Sequence, residues 1–247
     1  MHCHLDFASN ARELACLARQ HKLCVFSTTV SPADYEKACA DLLCADAALR
    51  VGLGFHPWWV SEDPAQNNEL VELFLAKLSQ TTTIGEIGLD AAARHQATFE
   101  HQRAVFSSII TALRNHEPST LSLHCIRSHD VIFELLDAAK IWDKHAVIFH
   151  WFSGSSDDLV RARINGAFFS VNAHMLATKR GRAYAQAIPL QSLLVETDWP
   201  PETCGIASFE EWHQLLENTY ATLAVIRKIS VAELEQQLAA NARRALR

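Results

Sequence analysis

Several signals are missing from this chain, and each absence excludes a class of protein. No apolar run approaches the roughly 20 residues that cross a bilayer, and no charged-then-apolar leader opens the sequence. The reading is therefore a chain with no membrane contact. Seven cysteines are present, at positions 3, 16, 24, 39, 44, 125 and 204, but none in CxxC spacing. Their odd number and apolar settings suit reduced thiols packed as small hydrophobes, and hence a cytoplasmic location. Surplus positive charge is missing too. The formal net charge is −6, which argues against a broad electrostatic footprint for nucleic acid. It leaves open a local site in which bound cations supply the positive charge. Low-complexity stretches, long linkers and charge blocks are also absent, so residues 1–247 read as one domain with no obligate protein partner.

What is present is a repeating alternation. Hydrophobic residues make up 49% of the chain and charged residues 20%, enough to bury a large core. Strand-like runs lie at 2–6, 23–28, 50–56, 82–89, 120–126, 146–152, 167–172 and 192–198. Between them, segments with helical spacing lie at 10–20, 32–45, 67–79, 99–115, 129–139, 157–164 and 181–188. Ser31-Pro32 and Ser155-Ser156-Asp157-Asp158 are helix-start signals. The tail from 209 reads as two helices broken near Ile229-Ser230. Eight such units imply an α/β fold, a (β/α)₈ TIM barrel; an open doubly wound sheet is the alternative. The first strand begins at the second residue. It is expected to be short, leaving strands two and eight with unpaired edges and His2 and His4 poorly fixed.

The apolar strands carry residues that apolar strands avoid. Strand one holds His2 and His4, which alternation puts on one face with Cys3 on the other. Strand three ends in His56, strand four carries Glu86, strand five ends in His124, strand six in His150 and strand eight in Asp198. A barrel brings the C-terminal ends of all its strands to one face. Taken singly, each residue has an ordinary structural reading, such as a satisfied core histidine or a capping aspartate. Jointly they do not, because burying so many imidazoles and two carboxylates without partners costs several kcal/mol each. Divalent cations remove that cost. Nitrogen and oxygen donors without thiolates suit Zn²⁺, Mn²⁺, Co²⁺ or Mg²⁺, and six candidates suit two ions about 3.5–4 Å apart.

The order of these motifs resembles the TatD family of metal-dependent hydrolases. The match rests on His2-Cys3-His4-Leu5-Asp6, Gly54-Phe55-His56-Pro57, Gly85-Glu86-Ile87-Gly88-Leu89-Asp90, Gln102–Phe106 followed by Leu123-His124-Cys125, His150–Ser155, and Glu196-Thr197-Asp198. The resemblance implies a two-metal deoxyribonuclease with 3′→5′ exonuclease character, with DNA as substrate. It implies that His2, His4 and Asp198 hold one ion, that Glu86 bridges, and that His124 and His150 hold the second. Asp198 and Glu86 are then the catalytic carboxylates. His56 and Arg127 would contact a phosphate, with Glu196 behind the ligands. Related amidohydrolases bridge their metals with a modified lysine; here no lysine lies between Lys77 and Lys140, and Glu86 stands in that place.

Two other functions follow from the same residues. One is ester or amide hydrolysis with the same ions, as in D-aminoacyl-tRNA deacylation. The other is a catalytically impaired, non-enzymatic member, motivated by the short first strand. After Asp90 the family's aromatic is replaced by Ala91-Ala92-Ala93-Arg94, which bears on substrate choice. Trp58, Trp59, Trp151, Trp199 and Trp212 fit either a groove for bases or a cover over the barrel mouth.

Overall fold

The computed structural model describes residues 1–43 and 48–246. Eight parallel strands follow one another in chain order: β1 (His2–Cys3), β2 (Val25–Thr28), β3 (Leu49–Phe55), β4 (Thr83–Asp90), β5 (Thr120–Ile126), β6 (Ala146–His150), β7 (Phe168–Val171) and β8 (Leu193–Val195). Every residue of β4 is buried, as expected where helices cover the outside of a parallel sheet and side chains fill the inside. The sheet curls into a nearly closed barrel, as predicted, and the open doubly wound alternative is excluded.

The helices are α1 (Ala11–Gln20), α2 (Tyr35–Leu42), α3 (Pro64–Leu78), α4 (Phe99–Leu113), α5 (His129–Ala138), α6 (Ser156–Ile164), α7 (Ala173–Ala177), α8 (Lys179–Ala187), α9 (Phe209–Arg227) and α10 (Val231–Ala245). Local chemistry starts and stops them. Ser155 and Asp158 form the reciprocal capping box at α6. Asp63 accepts the Ala65 N–H at 2.9 Å ahead of Pro64. Lys228 in the left-handed region ends α9, and Ser230 caps α10, which places the tail's break where the sequence put it. The Ser31-Pro32 signal starts a turn instead of a helix: Ser31 Oγ accepts from Ala33, and α2 begins only at Tyr35. The predicted end of that helix at residue 45 lies outside the described residues.

β1 is indeed short, pairing His2 with Phe26 and Cys3 with Ser27. The rim beside it is nonetheless tied. His2 O accepts from the Thr197 and Asp198 N–H groups at 3.2 Å each, and the His4 N–H donates to Trp199 O at 2.9 Å. The Met1 ammonium reaches Val195 O at 2.6 Å. Lower down, a cavity of about 500 Å³ lies beside β1, walled by Leu23, Val25, Leu194, Val195, Tyr220 and Leu238. It is the larger of the two main cavities, but it flanks the barrel away from most of the clustered imidazoles.

Inside the barrel, Phe26, Ile148 and Leu194 form a layer from even-numbered strands, closed beneath by Ala242, Ala245 and Leu246 of the C-terminal segment. Near the other end, β3 runs so close to its neighbours that a Cβ on Gly54 would lie 1.7 Å from Thr29 O, just past β2, and 2.7 Å from Glu86 N of β4. That approach lets the Glu86 N–H donate to Thr29 O at 2.9 Å and fixes where the Glu86 side chain starts.

Candidate metal centre

The C-terminal ends of β1, β3, β4, β5 and β6 bring His2, His4, His56, Glu86, His124 and His150 together, all of them buried. The barrel's convergence is what gathers residues as far apart in sequence as His2 and His150. Asp198, just past β8, joins them from the partly exposed side with φ of 54°, a conformation that non-glycine residues hold only when the surroundings impose it.

Glu86 divides its two oxygens between two sets of imidazoles. Oε2 lies 3.2 Å from His2 Nε2 and 3.4 Å from His4 Nε2. Oε1 lies 2.7 Å from His150 Nε2, 2.9 Å from His124 Nδ1 and 3.1 Å from His56 Nε2. Asp198 Oδ1 completes the first set, 3.5 Å from His2 and 3.3 Å from His4. The ligand atoms of His2, His4, Glu86 and Asp198 all lie within 4.8 Å of one another, as do those of His56, Glu86 and His124.

The first pair is held firmly, contrary to the expectation drawn from the short strand. His4 Nδ1 donates to Thr28 O at 2.8 Å, which fixes the tautomer and leaves Nε2 to face the carboxylates. His2 Nδ1 lies 2.8 Å from Ser122 Oγ. Cys3 points away into the core, and burial pushes its thiol up to about 12; Cys125 behaves likewise. Both are packing residues.

Behind the second set stand two carboxylates, Glu196, expected there, and Asp90, whose role the sequence left open. Asp90 Oδ2 lies 3.3 Å from His124 Nε2 and accepts the Trp58 indole N–H at 2.7 Å, while Oδ1 accepts from Ala92 N at 2.8 Å. Its signal in the sequence was an acid closing an apolar strand, inside a motif already singled out. Glu196, fully buried, accepts from Asn172 Nδ2 at 2.8 Å, from Trp151 N at 3.1 Å and from Ser170 Oγ. Its Oε1 also lies 3.7 Å from His150 Nδ1, which has no hydrogen-bond partner among the described residues. Nothing in the sequence signalled Ser122 or the Thr28 carbonyl, because neither is chemically distinctive.

The charges are mutually compensating. For Glu86, burial opposes ionisation, but the imidazoles of His56, His150 and His2 and the hydrogen bond from His124 hold its carboxyl well below the usual range. For His150, burial works against the proton, yet Glu86 and Glu196 raise its pKa well above the ordinary imidazole value. His4 behaves similarly, rising to about 10 beside Asp198 and Glu86 against the pull of burial. Burial dominates at His56, which falls to about 4 and stays neutral. Protons thus occupy positions that a cation would take. A buried set of neutralisable imidazoles and ionised carboxylates, free of thiolate, fits divalent ions such as Zn²⁺ and Mn²⁺.

A pocket of about 400 Å³ opens over this cluster. Among its walls are Phe7, His56, Trp58, Trp59, Arg94, Trp151 and Asp198. Arg127, expected at the phosphate, is exposed beyond β5 and does not line the pocket; the guanidinium there is Arg94. His56 sits among the imidazoles themselves, deeper than a substrate contact alone requires. The tryptophans separate into two groups. Trp199 and Trp212 are buried and stack at 6.1 Å, with the Trp212 indole N–H donating to Thr197 Oγ1. Trp58, Trp59 and Trp151 remain 44%, 42% and 37% exposed at the mouth.

Comparison with known proteins agrees with this geometry. The family model described as TatD related DNase matches residues 1–247. A 3′-5′ ssDNA/RNA exonuclease TatD of Dickeya dadantii is 30% identical over 205 residues, covering 79% of this chain and 74% of that protein. A deoxyribonuclease Tat-D of Schizosaccharomyces pombe is 27% identical over 66% of this chain, and the aligned region spans 60% of that relative's length. An uncharacterized metal-dependent hydrolase of Mycoplasma genitalium is 26% identical across 98% of this chain and 96% of its own. Among solved structures, a TatD homologue from Escherichia coli K12 superposes with a TM-score of 0.81 at 22% identity, covering 100% of this chain and 96% of that one.

Proposed function

The chain belongs to the TatD-related DNase family of metal-dependent hydrolases, and on that footing we propose that it hydrolyses phosphodiester bonds of DNA, releasing nucleotides from a 3′ end with two divalent ions bound. The observation that carries this reading is the division of Glu86: one oxygen faces His2 and His4, the other His56, His124 and His150. A carboxylate placed between two imidazole sets is suited to bridge two cations. His2, His4 and Asp198 would hold the first; His124 and His150 would hold the second.

Bound divalent ions supply a water of lowered pKa and positive charge for the phosphoryl oxygens. The chain's own residues supply the rest. Asp198 is the carboxylate of the cluster that is partly exposed to the pocket, so it is placed to orient a water and take its proton. His4, fixed through Thr28 O, holds Asp198 in place from behind. His56 stays neutral and presents an imidazole at the pocket floor. Arg94 adds a cation at the rim, the part first assigned to Arg127. The six described free cysteines suit a reducing, cytoplasmic setting, and no helix among the described residues is long and apolar enough to cross a membrane.

The test is nucleotide release from a single-stranded oligonucleotide with Mg²⁺ or Mn²⁺, in wild type and in Asp198→Asn. The expected loss is on the order of 10²–10⁴-fold, with the variant still folded and its metal content measured alongside. An Asp198→Asn protein as active as wild type would overturn the assignment. Turnover of aminoacyl-tRNA in place of any oligonucleotide would overturn the phosphodiesterase reading.

A further inference from the structure

Three large aromatic rings stand exposed around the mouth of a deep polar pocket, which is not where burial of apolar surface would leave them. Two of them are also fixed. Trp58 has its indole N–H on buried Asp90 at 2.7 Å, His95 stacks on it at 5.2 Å, and the Arg94 guanidinium lies 4.6 Å from the ring centroid. Trp151 stacks on His174 at 5.4 Å with 14° between the planes, and its backbone N–H is held by Glu196. The two rings follow the ends of β3 and β6, three strands apart in an eight-stranded barrel, and both line the pocket over the cluster.

We propose that Trp58, with Arg94, and Trp151 are stacking platforms for the two unpaired bases that flank the scissile phosphate. This rests on the phosphodiesterase reading and adds the substrate's recognition to it. A net charge of −6 denies the chain a general attraction to the nucleic-acid backbone, so binding must come from local contacts. Aromatic stacking is sequence-tolerant, since every base offers a π-face, and a duplex keeps those faces occupied. Arg94 supplies the one guanidinium among the described residues lining the pocket, next to the Trp58 ring.

Two single-stranded oligonucleotides test this, identical except that one lacks the bases on its last two 3′ nucleotides. Each is given to wild type, Trp58→Ala, Trp58→Phe and Trp151→Ala with Mn²⁺. The wild-type KM should rise about tenfold or more on the base-free end, with kcat changing less. Trp58→Ala and Trp151→Ala should show that rise on the natural oligonucleotide and lose little more on the base-free one. Trp58→Phe, which keeps a ring, should stay closer to wild type. Variants that keep the wild-type KM, or that lose equally on both substrates, overturn the proposal. Tryptophan fluorescence of Asp198→Asn with Mn²⁺ separates this from the reaction itself. Base-dependent quenching without turnover by the wild-type protein would sink the phosphodiesterase reading and keep the platforms. Absence of quenching would sink the platforms.

Discussion

Replacing Glu86 with glutamine preserves the shape of the bridging side chain and removes its charge, so it isolates what that charge does. In the metal-free wild type, His4, His124 and His150 bind protons more tightly than in the unfolded chain, with burial opposing and the carboxylates prevailing. Folded pKa values above the unfolded ones mean that this stability is complete below about pH 6.5. It is lost as pH rises through the folded values, about 10 for His4. The metal-free wild type should therefore melt at a lower temperature at pH 9 than at pH 6. In Glu86→Gln the buried imidazoles lose the anion that five of their nitrogens face within 3.4 Å. They should turn neutral near pH 7, and the pH slope should flatten. Metal ions give the second measurement. One ion at 1,000 times its Kd adds about 4 kcal/mol, or roughly 8–16 °C in Tm for a chain of this size. The wild type should show that gain twice over as both sites fill; Glu86→Gln should show less than half of the total. Calorimetric scans across pH, with and without Mn²⁺ or Zn²⁺, read both effects. A variant that keeps the wild-type pH slope and the full metal-induced rise would refute the role given to Glu86.

The remaining expectations concern groups behind the cluster. Glu196→Ala leaves the Ser170 hydroxyl and the Asn172 amide without the acceptor they share, while the Trp151 N–H keeps Ser170 O. At about 1–3 kcal/mol for each unsatisfied group, Tm should fall by several degrees at least, and the ion beside His150 should bind more weakly in titration calorimetry; unchanged values for both would remove Glu196 from the site. His145 is a pH prediction of opposite sign. Burial lowers it to about 4; Nδ1 accepts from the Ser119 N–H and Nε2 donates to Leu113 O, so only the neutral ring fits. Its contribution is present above pH 6.5 and lost as pH falls toward 4. Chemical denaturation at pH 7 and pH 4.5 should show a shallower acid loss in His145→Leu than in wild type.

Much of the site was legible because its chemistry is carried by residue types that parallel strands otherwise avoid. Imidazoles and acids at the ends of apolar runs stand out against Val, Leu and Phe. The barrel rule then tells where they meet without any knowledge of side-chain packing. The helix breaks at Ser155 and Ser230 were readable for a similar reason, since capping is a matter of a few neighbouring atoms. Asp90 was in view but unassigned: its role depends on His124, thirty-four positions away, and no local pattern encodes that distance. Arg127 was singled out by the opposite reasoning. Its nearness to His124 in sequence suggested nearness to the pocket, but the left-handed turn at Arg127 leaves it exposed beyond β5.

The sequence alone therefore determined the barrel, the imidazoles and carboxylates of the candidate site and their gathering on one face, because periodicity and residue chemistry are properties of the chain. Tertiary structure alone decided the rest. It tied the short first strand through the backbone groups of Thr197, Asp198 and Trp199, so that two residues of ladder suffice to hold His2 and His4. It split the tryptophans into a buried pair and an exposed rim. It also turned the two oxygens of Glu86 toward different imidazoles. Each of these depends on which distant atoms fill the space around a group, and only the folded chain specifies that.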